Sequence, residues 1–386
     1  MLRAARAAAG AEEGGSGGVG GGGVAGGSEA AGTAGTGGSV DHCAPGNPCL
    51  NGGTCSNGAT TFACACTANF TGKICDLSRF EVASSFALSA PTGISSDGSV
   101  VISALGSHAA KYVAGKPTDL GVYAGDTVSS AFGVNQDGSL IVGTSASKTG
   151  SVFNYHPVTW AGASISLLPG GTNCQAMDVS ADGTVIAGLC SGSVVRWVNG
   201  VYEDLALAGA PGFSNLKISH DGVWIAGTYT ANSSTTGFVW SKASGLRLAT
   251  VAGKFSMCAF TGISGNGGIA IGNCTYSGTT KVAVTWDATN GLKLFPGVDA
   301  ANPPESRADA VSGDGSYVTG RQITSVRWDS ARSLHTLSTL VPAVLTSAWT
   351  FDVYPVYVSS DGMTLTGEVY DARGDSNGVF IMRTGN

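Results

Sequence analysis

Charge is scarce in this 386-residue chain: Asp, Glu, Lys and Arg together make up 12%, about half the usual quarter. The net charge is −6, and the basic residues form no cluster, which excludes the electrostatic footprint of a nucleic-acid binder. There is no run of 18 apolar residues, so no membrane-spanning helix is expected. Helical periodicity is missing too, which argues against a helix-built fold. The chemistry-bearing motifs are equally sparse. Neither a Walker loop nor an HExxH occurs. The five His, at 42, 108, 156, 220 and 335, stand at unrelated points. One Gly-x-Ser-x-Gly spans Gly14 to Gly18, in a stretch that cannot build a strand-turn-helix around Ser16. Cys174, Cys190, Cys258 and Cys274 lack the close spacing of a zinc site.

Glycine is abundant, with 60 residues, more than twice the usual share. Residues 10–39 are mostly Gly, Ala, Ser and Thr, with Val19 and Val24 as the only branched aliphatics. So little apolar surface cannot offset chain entropy. Residues 1–40 are therefore predicted to be a disordered Gly-rich linker, with a mean span of about 30 Å. The basic start Met1-Leu2-Arg3 is not followed by a proper apolar stretch, so an export signal is expected upstream of this start.

Ten cysteines, an even number, point to an oxidising compartment. Six of them fall within residues 41–77 as C-x5-C-x5-C-x8-C-x-C-x8-C. A segment this short holds no hydrophobic core and must be stapled by disulfides. Spacing alone leaves fifteen pairings open. Asn51-Gly52-Gly53 before Cys55, Phe62 two residues before Cys64, and Phe70-Thr71-Gly72 before Cys75 resemble an EGF-like domain. The resemblance implies the pairs Cys43–Cys55, Cys49–Cys64 and Cys66–Cys75. Asn69 stands where the family usually has Gly; Asn tolerates positive φ, so the turn is expected to survive. Some members of the family bind calcium. Asp41 and Asn57 fit that ligand set, whereas Ser39 and His42 do not. Calcium takes six to eight oxygens, so no cofactor is expected, with calcium at Asp41 and Asn57 as the alternative.

The rest of the chain repeats. An Ile/Val-Ser/Asn-x-Asp/Asn-Gly turn recurs seven times, starting at Ile94, Val134, Val179, Ile218, Ile263, Val311 and Val358. The Asp/Asn-Gly steps are 40, 45, 39, 45, 48 and 47 residues long, a period of blades or solenoids. In each copy an apolar strand enters the turn, and a second leaves it to end in Gly, or Ser103 in the first copy. A third strand carries Trp160, Trp197, Trp240, Trp286 or Trp328, or Tyr112 in the first copy. A fourth has spaced leucines. Four short strands per period predict a propeller blade. The last copy stops after its third strand, while residues 80–88 form an orphan apolar strand before the first. Pairing with 379–382 would close the ring and leave no free edge. The expected fold is all-β: a seven-bladed β-propeller over 80–386 closed by strand 80–88, with a β-solenoid or six or eight blades as alternatives. The repeat also resembles the HAF-type extracellular repeats of bacterial secreted proteins in its turn and its later Trp strand. The His-Ala-Phe tripeptide is absent from every copy.

Cys174 and Cys190, like Cys258 and Cys274, straddle the repeated turn at a spacing of 16. A three-residue hairpin loop would set Ser180 opposite Thr184 and Ser264 opposite Gly268. The facing sums, 364 and 532, are also those of the two cysteine pairs. Cys174–Cys190 and Cys258–Cys274 are therefore predicted as within-blade disulfides, against four buried thiols. The five blade tryptophans and Trp224 are read as core. Trp349, outside that register, is a candidate surface aromatic. The turn aspartates are read as serving turn geometry rather than calcium. Arg373-Gly374-Asp375 spells a cell-attachment tripeptide and is carried as a binding candidate, although chance accounts for it.

These features point to a bacterial extracellular or cell-surface binding or adhesion protein without catalytic function, with a rigid disc presenting loops to a protein or glycan ligand. The rival is a hydrolase or lyase with its site at the central channel. Three or more His, Asp or Glu side chains converging at the channel mouth would overturn the binding reading.

Overall fold

The computed structural model describes residues 41–384 apart from 45, 72, 76, 84–89, 115, 172, 208–211, 296–300, 302, 332, 344–355 and 371–375. The predicted linker 1–40, Trp349 and Arg373-Gly374-Asp375 lie outside the described residues. In the small amino-terminal module, strand Thr54–Asn57 pairs with Phe62–Ala65, and Phe70–Thr71 with Leu77–Ser78. Disulfides join Cys43 to Cys55, Cys49 to Cys64 and Cys66 to Cys75, with Cα atoms 6.0, 5.6 and 5.3 Å apart. Positive φ in this module falls at Asn51, Gly52 and Cys75 and not at Asn69. The turn at Asn69 survives as expected, closed by the Phe70 N–H on the Thr67 carbonyl at 3.1 Å, but without the left-handed conformation.

Seven four-stranded antiparallel sheets follow, each ordered from the channel outward. The inner strands of blades 1 to 7 are Gly93–Ile94, Val128–Val134, Cys174–Val179, Gly212–Ile218, Phe255–Ile263, Arg307–Val311 and Tyr357–Val358. Blades 1 to 6 are continuous in sequence. Blade 7 consists of Tyr357–Val358, Thr364–Tyr370 and Ser376–Arg383, and its outer strand is Phe80–Ala83. The closing register sets Phe80 opposite Met382 and Ala83 opposite Val379. Phe80 stacks on Phe380 with ring centres 6.3 Å apart. Arg383 donates to Glu81 Oε1 at 2.6 Å and to the Ser78 carbonyl at 2.8 Å. Of the predicted strand 80–88, residues 80–83 form it, and 84–89 lie outside the described residues.

The core lies between blades. Ile271 and Ala283 of blade 5 pack with Ala308, Val318 and Trp328 of blade 6. Trp160, Trp197, Trp240, Trp286 and Trp328 are all buried. In blades 2 to 6 the inner strand bulges just before its Ile/Val. The second-strand glycine sits against the approaching backbone: a Cβ on Gly143 would lie 2.0 Å from the Ser130 carbonyl oxygen, and one on Gly320 1.9 Å from that of Arg307. Glycine there is a requirement of close approach.

The hairpin loop is one residue longer than the sequence reading set it. The Ser180 N–H donates to the Val185 carbonyl at 2.8 Å and the Gly183 N–H to the Ser180 carbonyl at 3.0 Å, so the loop is 181–184. Val179 therefore faces Ile186, a sum of 365. The bulge between Ala176 and Asp178 removes the extra residue, and Cys174 faces Cys190. Disulfides join Cys174 to Cys190 and Cys258 to Cys274, with Cα atoms 4.0 and 4.1 Å apart.

Candidate functional site: the central channel

The repeated turn satisfies its own polar groups. In each of the six Ser copies the hydroxyl donates to the Asp or Asn side chain two residues on, as Ser180 does to Asp182 at 2.7 Å. It accepts the N–H five residues on, as from Val185 at 3.0 Å. In the second copy Asn135 Oδ1 accepts from Leu140 at 2.9 Å instead. The Asp or Asn then accepts the next-but-one amide in all seven copies. Each turn glycine has φ between +70° and +76°. The carboxylates are occupied as turn acceptors.

The turns also bond to one another around the channel. Asp97 N–H donates to the Gln136 carbonyl (3.0 Å), Gln136 to Ala181 (3.0 Å), Ala181 to His220 (3.0 Å) and Asp221 to Gly265 (3.1 Å). Gly265 donates to Gly313 (2.6 Å), Gly313 to Ser360 (2.8 Å) and Ser360 to Ser96 (2.8 Å). These seven bonds form a closed cycle that binds each blade to the next, including the last to the first. His220 sits inside it, with Nδ1 3.1 Å from Ser360 Oγ and Nε2 3.5 Å from Ser96 Oγ. Glycine at the corresponding place in two other copies makes room: a Cβ on Gly313 would meet His220 Nδ1 at 2.9 Å, and one on Gly265 at 3.1 Å. Burial pulls the His220 imidazole below its ordinary pKa, only partly offset by Asp178 and Asp221. A neutral ring seals this mouth.

The channel behind the seal has a narrow floor of about 110 Å³ and an open mouth of about 380 Å³. Phe132, Lys217, Thr261, Asp309 and Tyr357 line both. Asp178 lines the floor, and Arg307 the mouth. The polar groups come from the residue before the repeated Ile/Val, where four copies have Gly93, Gly133, Gly262 or Ala310 and three have Asp178, Lys217 or Tyr357. The bulge adds Asp309. Burial would lower the Lys217 ammonium, yet the Asp178 carboxylate and the Tyr357 hydroxyl outweigh it and hold its pKa up. Burial pushes Tyr357 up, as it does Asp309 despite the Arg307 guanidinium 3.4 Å away. Asp178 Oδ2 accepts the Ile218 N–H at 3.0 Å.

Asp178, His220 and Asp309 thus share the channel, which reaches the number set for a catalytic reading. They are strung along its length, His220 at the seal and Asp309 reaching the open mouth. Among the described residues no hydrogen bond or ion pair joins any two of them. Ser360 Oγ and His220 Nδ1, 3.1 Å apart, do form a hydroxyl–imidazole pair, but among the described residues no carboxylate is hydrogen-bonded to that imidazole to orient it as a base. Sequence reasoning gave no role to any of the six ionisable channel residues, Asp178, Lys217, His220, Arg307, Asp309 and Tyr357, although the off-pattern Asp, Lys and Tyr in a Gly/Ala column were visible.

The remaining candidates sit elsewhere. Asp41 and Asn57 bond each other, Asp41 caps the Cys43 N–H at 2.9 Å, and Asn57 accepts the His42 N–H at 2.7 Å. No cluster of three His, Cys, Asp or Glu suited to a metal occurs among the described residues, and no described helix is long and apolar enough to cross a membrane. Trp224 is half-buried, and a Cβ on Gly267 of the next blade would meet its ring at 2.1 Å.

The amino-terminal module shares a groove with the sealed face, lined by Cys64, Phe70 and Arg79 on one side and Asp97, Asp361 and Met363 on the other. At the open face Ile323, 82% exposed with φ +71°, tops the blade 6 hairpin beside Arg307 and Arg321. A β-branched residue at that φ is strained.

A sequence profile of the EGF-like domain matches residues 43–73. No curated protein matches the chain. Among solved structures it is similar to TolB from Acinetobacter baumannii, at 10% identity and a TM-score of 0.41, covering 77% of this chain and 63% of that one. The chain thus spans under two thirds of that TolB. It is also similar to an oligogalacturonate lyase from Vibrio parahaemolyticus, at 7% identity and a TM-score of 0.44, covering 75% of this chain and 76% of that one. Both likenesses are remote, and neither activity nor ligand is taken from them. The EGF-like module and the disulfides fit an extracellular setting.

Proposed function

We propose that the chain is a secreted or cell-surface bacterial binding protein that presents the open face of its propeller to a protein or glycan, without catalysis. The observation that carries this reading is the position of the EGF-like module at the sealed face, away from the mouth lined by Lys217, Arg307 and Tyr357. The HAF-type resemblance of the repeat supports a bacterial surface role, and Trp349 and Arg373-Gly374-Asp375 stay candidate contacts. The test is a glycan array together with capture of surface proteins by the whole chain. Binding is expected to weaken about tenfold, or 1.4 kcal/mol, with Ile323→Asp or Arg321→Glu at the open face. It should stay unchanged with Lys242→Ala at the sealed face. The opposite pattern contradicts the reading.

The co-location of Asp178, His220 and Asp309 favours a second reading, a hydrolase or lyase at the channel. Product release from a glycan or ester panel that Asp309→Asn abolishes would establish it; binding without turnover supports the first reading.

A further inference from the structure

The channel mouth holds donors without a protein partner among the described residues. Thr261 Oγ1 is bonded to the Ala308 carbonyl at 2.8 Å, and Asp309 faces Arg307. Among the described residues, by contrast, no hydrogen-bond or ion-pair partner reaches Lys217 Nζ or Tyr357 Oη. Both side chains are only half-buried, so their donors can pair with a ligand in place of water. Lys217 and Arg307 line the mouth together with Asp309, and Asp178 lies on the floor that Lys217 also lines. Against the lowering effect of burial, Asp178 and Tyr357 hold the Lys217 pKa up, while burial pushes that of Asp309 up. Phe132 and Met177 supply an apolar wall. The volume of about 380 Å³ lies in the range of small-molecule sites, and an apolar cleft with a few convergent polar groups is their usual form.

We propose that the open mouth binds a small organic carboxylate, with its oxygens on Lys217 Nζ and Tyr357 Oη within the field of Arg307, and its apolar body against Phe132 and Met177. The site stands apart from any protein or glycan contact of the face and does not depend on one.

The experiment is calorimetric titration of the whole chain with benzoate, phenylacetate and succinate, set against benzamide, phenylacetamide and inorganic phosphate. At least one carboxylate should bind one-to-one, with its amide partner about tenfold weaker or worse and phosphate not competing. Lys217→Met should weaken binding about tenfold or more, and Tyr357→Phe several-fold with an unchanged melting temperature. If Lys217→Met does not fold, Tyr357→Phe, which removes one oxygen, decides alone. Three results would overturn the site: no carboxylate binding up to about 10 mM, equal competition by phosphate, or full affinity in every folded variant.

Discussion

Asn135 is the exception that explains the repeated turn residue. Six copies use Ser to accept the amide five residues on; Asn135 does so with its amide oxygen. Asn135→Ser should therefore be nearly neutral in denaturant unfolding. Asn135→Ala should cost about 1–3 kcal/mol, because it orphans a buried N–H. The turn carboxylates set an acid limit. Asp137 is held below the usual range by the Ser139 hydroxyl and amide, and Asp182 by the Ser180 hydroxyl and the Thr184 amide. A depressed folded pKa stabilises the fold above the unfolded value, about 3.9, and that contribution is lost as pH falls through the folded value. The melting temperature should hold from neutral pH to about 5 and decline below about 4. Asp309, pushed up by burial, runs the other way, so Asp309→Asn should leave the acid limb in place. If the limb disappears with that substitution, the turns do not set it. At this scale the motif was legible and the site was not. Asp178, Lys217 and Tyr357 are far apart in sequence, and neighbour-based motif searches pass over them. They share one column of the repeat, and the ring turns that column into a channel wall.

At the scale of strands and hairpins, the four-strand unit follows from alternating apolar residues, Gly-bearing turns and one Trp per third strand, all readable beforehand. The register was not. The loop 181–184 is fixed by the Ser180 side chain and backbone, and the compensating bulge at Met177 by contacts with the neighbouring blade; neither leaves a local signature. The closing strand was legible because both ends of the chain were incomplete by complementary amounts. Its energetic consequence is testable. Removing residues 376–386 takes away the third strand of blade 7 and strips Phe80–Ala83 of its partner, exposing two sheet edges. The truncated chain should lose its sharp unfolding transition as a whole, whereas fraying confined to blade 7, seen by limited proteolysis, would contradict closure. The within-blade disulfides should matter less. Each closes a loop of 16 residues, worth up to ~3 kcal/mol in the chain-entropy model and less in a hairpin that is local already. The double variant Cys258→Ser/Cys274→Ser should fold, with a lower melting temperature.

Taken whole, the molecule is a ring whose two faces differ. On one face seven turns join through a cycle of backbone bonds, His220 fills the centre and the EGF-like module abuts the rim. On the other the channel opens among Lys217, Arg307, Asp309 and Tyr357. The seal gives the channel a floor, and the floor makes the mouth a pocket rather than a pore. All of this depends on the step from Ser360 to Ser96, which joins the last blade to the first and has no counterpart in an open solenoid. Amide hydrogen exchange at Asp97, Gln136, Ala181, Asp221, Gly265, Gly313 and Ser360 measures that cycle directly. All seven amides should be strongly protected and exchange together, only on global unfolding. Rapid exchange at Ser360, with the other six protected, would mean that the ring is open between blades 7 and 1.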